Sequence, residues 1–278
     1  VDQSVIKNPL VSVVIPHFNR PDLLNRAIKS IDVQDYKNLE VIVVDDGSTD
    51  VKALENLDRL KTKFAKKGWK IIYQENRYPG AARNTGVSQA KGEYILFLDD
   101  DNIAEPNEIS TFVKAAVTSG ADILTCFSKI FVHDPVAEEL AEKYKICLYL
   151  GGATAVGSLI NRFGDTNALI RKRAFDALGG FTEDYGVGFE DWELFAKAVL
   201  NGYHLEVVPE PLYWYRQSGE GVNNITASQA NRMRMIRPFL DAVPDSMRSM
   251  ILYAQGSYLQ TYYMSLLINN LQTELILQ

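Results

Sequence analysis

Leu10-Val11-Ser12-Val13-Val14-Ile15-Pro16-His17-Phe18-Asn19-Arg20-Pro21 decides the fold. Residues 10–15 are apolar except Ser12 and leave almost no polar face, which predicts a strand buried on both sides, as in parallel sheets. Pro16 is expected to stop it. Pro21 suits the first turn of a helix, where a missing N–H costs nothing. Leu23, Leu24, Ala27, Ile28 and Ile31 then recur at helical spacing.

The same alternation continues outward. Residues 41–44 are a second buried strand, followed by the turn chemistry of Asp45-Asp46-Gly47-Ser48, and Thr49 or Asp50 can cap the next helix. Leu54, Leu57 and Phe64 are placed on that helix's inner face. Residues 69–73 and 94–98 read as further strands, with a short helix rich in small residues over 80–90 packed close to the sheet. A βαβαβαβ order of this kind predicts an α/β fold: a mostly parallel central sheet flanked by helices, with right-handed crossovers. Ligands of such sheets bind outside the carboxyl ends of the strands. His17, Asn19, Asp45, Asp46 and the acidic run 99–101 fall there.

The rest of the chain is less regular. Helices are expected over 105–118 and 189–201, the latter with Trp192, Phe195 and Val199 inward. Strands are expected over 122–126, 166–170, 204–208 and 212–215, with a Gly-rich loop over 151–164. From about Ser228 the pattern is helical, and Met247, Ile251, Ala254, Tyr258, Tyr262 and Leu266 repeat every three to four residues. The expected division is a catalytic domain over 1–225 and a helical C-terminal extension over 226–278. The chain starts at Val1, which suggests a piece of a longer polypeptide or assembly.

Composition narrows the function. The 278 residues are 46% hydrophobic and 23% charged, which excludes disorder as the main state. A formal net charge of -6 argues against a nucleic-acid partner, since such proteins carry a basic surplus. The 2 cysteines, Cys126 and Cys147, match no zinc or redox spacing and read as buried thiols of a reducing compartment.

Four stretches carry chemistry. Phe97-Leu98-Asp99-Asp100-Asp101-Asn102 ends a buried strand in three carboxylates, which repel one another unless a cation intervenes. Their oxygens suit magnesium or manganese; the plain alternative is a solvated acidic turn that caps the next helix. Asp45-Asp46 can accept from a nucleobase or simply form an Asx-turn and cap. Gly80-Ala81-Ala82-Arg83-Asn84-Thr85-Gly86 lets a helix approach the sheet while Arg83 offers a fork to phosphate, or is a surface arginine. Gly186-Val187-Gly188-Phe189-Glu190-Asp191-Trp192 opens a helix with two acids, placed there for general-base work or merely favoured by the helix dipole. Trp192 is a sugar platform or, more commonly, core.

Together these stretches resemble the family-two inverting glycosyltransferases with the GT-A fold. The resemblance rests on Ile15-Pro16-His17-Phe18-Asn19-Arg20, Val44-Asp45-Asp46-Gly47-Ser48, Ala82-Arg83-Asn84 with Gly86, Gly92-Glu93-Tyr94-Ile95 running into the aspartate triplet, Gly179-Gly180-Phe181, and Glu190-Asp191-Trp192. It covers roughly residues 10–216. It implies a nucleotide-sugar donor, UDP-linked first and dTDP-linked second, and a glycan or lipid-linked acceptor. It implies donor-binding roles for Pro16, Phe18, Asn19, Asp46, Arg83, Asp99 and Asp100, with the first two flanking the base and Asp46 on its edge. Asp101 and Asp99 would hold a manganese or magnesium cofactor. Asp191 would be the catalytic base and Glu190 its neighbour toward the acceptor. The implied location is cytoplasmic, at the inner membrane face for a lipid-linked acceptor.

One departure stands out. Many relatives place a histidine shortly after the Tyr-Arg pair, whereas Tyr215-Arg216 is followed here by Gln217-Ser218-Gly219. His17, His133 and His204 show no ligand spacing and are expected to be structural or solvent-facing. The rival readings are a catalytically silent nucleotide-sugar-binding or assembly domain and a nucleotidyltransferase. The second lacks its Gly-rich phosphate loop after the first strand. G-x-G-x-x-G is absent there too, which disfavours a dehydrogenase.

Overall fold

The computed structural model describes residues 8–131, 144–217 and 228–277. Strand β1 (Val11–His17) is buried along its whole length and pairs in parallel with β2 (Leu39–Asp46) and β4 (Tyr94–Phe97), while β3 (Lys70–Gln74) pairs in parallel with β2. Helices α1 (Pro21–Asp32), α2 (Val51–Lys67) and α3 (Tyr78–Ser88) make the crossovers. Pro21 opens α1, and the Asp50 side chain caps α2 by accepting from the N–H groups of Lys52 and Ala53. Gly86 on α3 is needed for close approach: a Cβ there would lie 2.4 Å from Val14 Cγ1.

Two local expectations are corrected here. Pro16 does not stop β1, which continues to His17 with Pro16 opposite Val44. Pairing with β4 ends at Val14, so on that side Pro16 needs no ladder donor. Leu54 is 40% exposed rather than inward. The inner face of α2 is Ala53, Leu57, Leu60 and Phe64, and Leu54 lies about 100° around the helix from Ala53.

Beyond β4 the sheet becomes mixed. Strand β8 (Leu169–Arg171) runs antiparallel to both β4 and β6 (Ile123–Phe131), and β9 (Leu205–Arg216) runs parallel to β6. Strand β5 (Ile103–Ala104) pairs with β9, and β7 (Lys145–Cys147) pairs with β6, both antiparallel. The order is β3-β2-β1-β4-β8-β6-β9-β5. The parallel expectation thus holds among the first four strands and again between β6 and β9, while the pairs made by β5, β7 and β8 are antiparallel. The chain enters β8 from the end at which β6 finishes, so the two run antiparallel. The strands expected at 204–208 and 212–215 are one strand. The register shift opposite Cys126 and Phe127 accommodates Pro209 and Pro211.

Helices cover both sheet faces. On one, α1, α2 and α4 (Glu108–Ser119) bury Leu24, Ile28, Leu57, Phe64, Ile109 and Phe112. On the other, α3, α6 (Lys172–Ala177), α7 (Glu190–Leu200) and α8 (Ser228–Asp241) bury Ala82, Phe175, Phe195, Met235, Ile236 and Phe239. A short α5 (Thr154–Gly157) interrupts the Gly-rich loop.

The last helix, α9 (Asp245–Leu277), departs from its expected face. Met247 is 42% exposed and Ala254 is exposed, Ile251 packs partly on the second core, and Gln255 is buried, donating to Ser158 O at 2.6 Å. The side chains of Tyr262 and Leu266 lie outside the described residues, as do the 225/226 division and His133. Cys126 is buried, Cys147 is only partly so, and both are free. No helix among the described residues is long and apolar enough to cross a membrane.

Candidate active site

The parallel half delivers its polar residues to one end. After β1, Asn19 turns the chain with φ 55°, a left-handed conformation that asparagine tolerates. Its carboxamide oxygen accepts from the N–H groups of Thr49 and Asp50 at 2.8 Å each, and its own N–H donates to Ser48 Oγ at 2.9 Å. Asn19 therefore ties the loop after β1 to the loop after β2. Pro16 is buried, whereas Phe18 is 41% exposed beside this junction. Asp46 at the end of β2 is buried and accepts from Gln74 Nε2 at 2.7 Å and the Arg77 N–H at 2.9 Å. Burial pushes its carboxyl up despite those donors.

Each member of the triplet after β4 has a cationic or imidazole partner. Asp99 Oδ1 lies 2.6 Å from Arg83 Nη2, and Arg83 Nη1 lies 2.7 Å from Glu190 Oε1. Asp100 Oδ2 meets His17 Nδ1 at 2.7 Å and its Oδ1 meets Arg20 Nη2 at 2.5 Å; Arg20 Nη1 reaches Asp101 Oδ2 at 2.8 Å. A solvated acidic turn does not describe this cluster, since Asp100 is fully buried. Nor is Arg83 a surface arginine: its side chain is 4% exposed. Burial works against its charge, but Asp99 and Glu190 outweigh that and hold the guanidinium protonated. Burial pushes the Asp101 carboxyl up to about 6 against the pull of Arg20.

Among the described residues no three His, Cys, Asp or Glu side chains converge to hold a metal ion. The donor set does not suit a cation held by protein ligands alone. It fits a hard divalent ion that takes one or two carboxylates, here Asp101 and Asp99, and completes its shell with phosphate oxygens and water.

The second acidic pair comes from α7. Phe189 precedes it with φ 64°, strained for a bulky residue. Arg83 joins Glu190 to the triplet, and Asp191 Oδ2 accepts from Asn161 Nδ2 at a long 3.4 Å. Burial pushes the Asp191 carboxyl up to about 8, helped by Asp165 and Glu190. Asp165 is itself pushed up to about 7 by burial and then by Asp99. Its loop is pinned at Gly164, where a Cβ would lie 2.2 Å from Thr125 Cγ2, and by Thr125 Oγ1 donating to Phe163 O at 2.8 Å. Trp192 is buried and donates to Gly157 O at 2.6 Å, so it belongs to the core and is not a platform.

Sequence reasoning missed several of these side chains. Of the two roles expected for the histidines, His17 takes the structural one as the buried partner of Asp100, and His204 is exposed and pairs with Glu206 at 2.9 Å. Arg20 stood inside a quoted motif without a role. Asp165 and Asn161 carried no spacing signal, because the loop alone brings them to the site.

A family model described as Glycosyl transferase family 2 matches residues 12–179, more than half of the chain. The chain belongs to glycosyl transferase family 2. Among curated relatives, this family 2 chain is 41% identical over 114 residues to the GalNAc(5)-diNAcBac-PP-undecaprenol beta-1,3-glucosyltransferase of Campylobacter jejuni, covering 39% of this chain and 35% of that protein. The match spans between 16% and 35% of the length of that relative and two similar ones. Among solved structures, S. aureus TarS 1-349 in complex with UDP-GlcNAc is 21% identical with a TM-score of 0.67, covering 89% of this chain and 72% of that one. Mannosyltransferase PcManGT from Pyrobaculum calidifontis, in complex with GDP-Man and Mn2+, is 20% identical with a TM-score of 0.60 over 89% of this chain and 69% of that one. At those identities the likeness shows the fold, the GT-A arrangement expected from the motifs.

Proposed function

We propose that this family 2 chain is a metal-dependent inverting glycosyltransferase that moves a sugar from a nucleoside diphosphate donor to a hydroxyl of a glycan or lipid-linked acceptor. The observation that carries the reading is Arg83, a buried guanidinium bonded at once to Asp99 of the triplet and to Glu190 beside Asp191. It joins a phosphate-and-metal side to a general-base side. The Campylobacter relative's undecaprenol-linked acceptor and the UDP-GlcNAc held by TarS favour a UDP-sugar first and a lipid-linked saccharide acceptor at the cytoplasmic membrane face.

In this reading Pro16 and Phe18 bracket the base and Asp46 meets its edge. Arg83 and Asp99 face the ribose and diphosphate, the buried Asp100 backs that side by holding His17 and Arg20, and Asn19 shapes the pocket by tying its loops. A divalent cation at Asp101 and Asp99, when bound, supplies positive charge to the departing diphosphate. Asp191 takes the proton of an acceptor hydroxyl that attacks the anomeric carbon from the face opposite the leaving group, so configuration inverts. Base help of this kind is worth roughly 100- to 10,000-fold.

The test has two parts. A thermal-shift panel of nucleoside diphosphates and nucleotide sugars, with and without manganese, should single out one base; ligand at a hundred times its Kd adds about 2.7 kcal/mol. Asp191→Asn should then abolish UDP release from the matching sugar nucleotide while donor binding survives. Full turnover in that variant refutes the base assignment, and donor binding without any turnover in the parent chain favours the silent binding domain instead.

A further inference from the structure

Arg234 on α8, in the segment expected to be an appendage, is a fully buried large side chain, 2% exposed. Its guanidinium closes on the loop that leads into α7. Nη1 donates to Val187 O at 2.8 Å and Gly188 O at 3.4 Å, and Nη2 donates to Thr182 O and Asp184 O at 3.3 Å each. One turn earlier, Asn231 Oδ1 accepts from the Gly188 N–H at 2.7 Å. The surrounding carboxylates are Asp184 at 3.4 Å, Glu193 at 3.8 Å and Glu190 at 4.0 Å. A single planar fork thus gathers four carbonyls on either side of the turn at Gly186 and offsets the charge of the acids beyond it.

The loop needs such a grip. Phe189 at its end holds φ 64°, a conformation that is strained for a bulky residue and persists only where neighbours over-determine it. The two residues after it are Glu190 and Asp191. Were the loop to relax, the first turn of α7 would rotate, carrying Glu190 off Arg83 and Asp191 out of the site. Tertiary strain at this point is therefore held by groups about 40 residues further along the chain, on a different helix.

We propose that Arg234, assisted by Asn231, is a positioning residue for the α7 acids, so that α8 belongs to the catalytic unit and is not an add-on. The proposal deepens the reading of Asp191 as base and rests on it for its effect on turnover. Its structural half, the grip on residues 182–189, stands independently.

The experiment compares the parent chain with Arg234→Lys, Arg234→Ala and Asn231→Ala. Lysine keeps the charge toward Glu190 and Glu193 but cannot bridge four carbonyls. Amide hydrogen exchange over 182–191 should quicken about tenfold in Arg234→Lys and more in Arg234→Ala, while exchange over 94–102 stays within about twofold. UDP release from UDP-GlcNAc with manganese should fall about tenfold or more in kcat, with Kd for UDP within about threefold. Millimolar guanidinium should restore part of the loss in Arg234→Ala. If that variant is insoluble, Arg234→Lys and Asn231→Ala decide alone, Asn231→Ala shifting the same way by less. Unchanged exchange over 182–191, or a uniform acceleration across the whole chain, overturns the proposal. So does an unaltered kcat in a variant whose loop has loosened. Asp191→Asn run alongside separates the two claims: turnover surviving in it removes the base assignment, while the exchange result still judges Arg234.

Discussion

Replacing Glu108 by Gln should make the protein's stability less dependent on pH and raise it at neutrality. Glu108 opens α4 yet is fully buried. Its Oε1 accepts from Asn167 Nδ2 at 2.5 Å, and Oε2 has no hydrogen-bond partner among the described residues. Burial first, and Glu105 second, push the carboxyl up to about 8 from an ordinary 4.5, against the Asn167 bond. The native state therefore binds more protons than the unfolded chain between those two values, and stability falls as pH rises through that window. Each pH step above the unfolded-state value costs about 1.4 kcal/mol. Between pH 5 and 7.5 the native protein should lose about 3 kcal/mol relative to Glu108→Gln, whose amide keeps the bond to Asn167 and carries no titrating proton. At this chain length that is roughly 6–12 °C in Tm. Urea unfolding followed by tryptophan fluorescence at four pH values on both proteins measures the difference. Two stability curves that stay parallel from pH 5 to 7.5 would show that Glu108 is not held protonated, and the burial reasoning would fail.

Other perturbations address the site. Because Asp191 must be ionised to accept a proton, kcat/KM should rise about fiftyfold from pH 6 to pH 8; Asp165→Asn, removing a like charge, should move that limb to lower pH, and a limb that stays put would sever the two carboxylates. Arg83→Met strips Asp99 and Glu190 of their close guanidinium, with Arg234 still 4.0 Å from Glu190, and should cost about 3 kcal/mol, readable as a lowered melting temperature; an unshifted transition would mean the carboxylates find water or each other's protons. Gly86→Val should lift α3 from Val14 and cost about 1–3 kcal/mol or more by chemical denaturation. Leu54→Glu, on the exposed side of α2, should stay within about 0.5 kcal/mol of the parent.

Local pattern carried much of the architecture. Uninterrupted apolar runs mark β1, β2 and β4, helical spacing with Pro21 and Asp50 marks the starts of α1 and α2, and the acids fall at strand ends because a buried strand must end where charge begins. Those are properties of neighbours in sequence, with period 2 or 3.6, and they need no knowledge of what packs where. The same information placed Asp46, Asp99–Asp101 and Glu190-Asp191 as residues of interest.

Tertiary contacts decided the rest. Pro16 stays in β1 because the strand beside it ends early, and Leu54 faces solvent because the sheet lies on the Ala53 side of its helix. The mixed half of the sheet follows from which end the chain re-enters, which no periodicity records. Arg83 is a buried bridge and not a surface charge only because Glu190, 107 positions away, closes over it, and Arg234 grips Asp184 from 50 positions away. Burial of a charge is set by the groups that surround it in space, and a single sequence shows those groups only after the chain has folded.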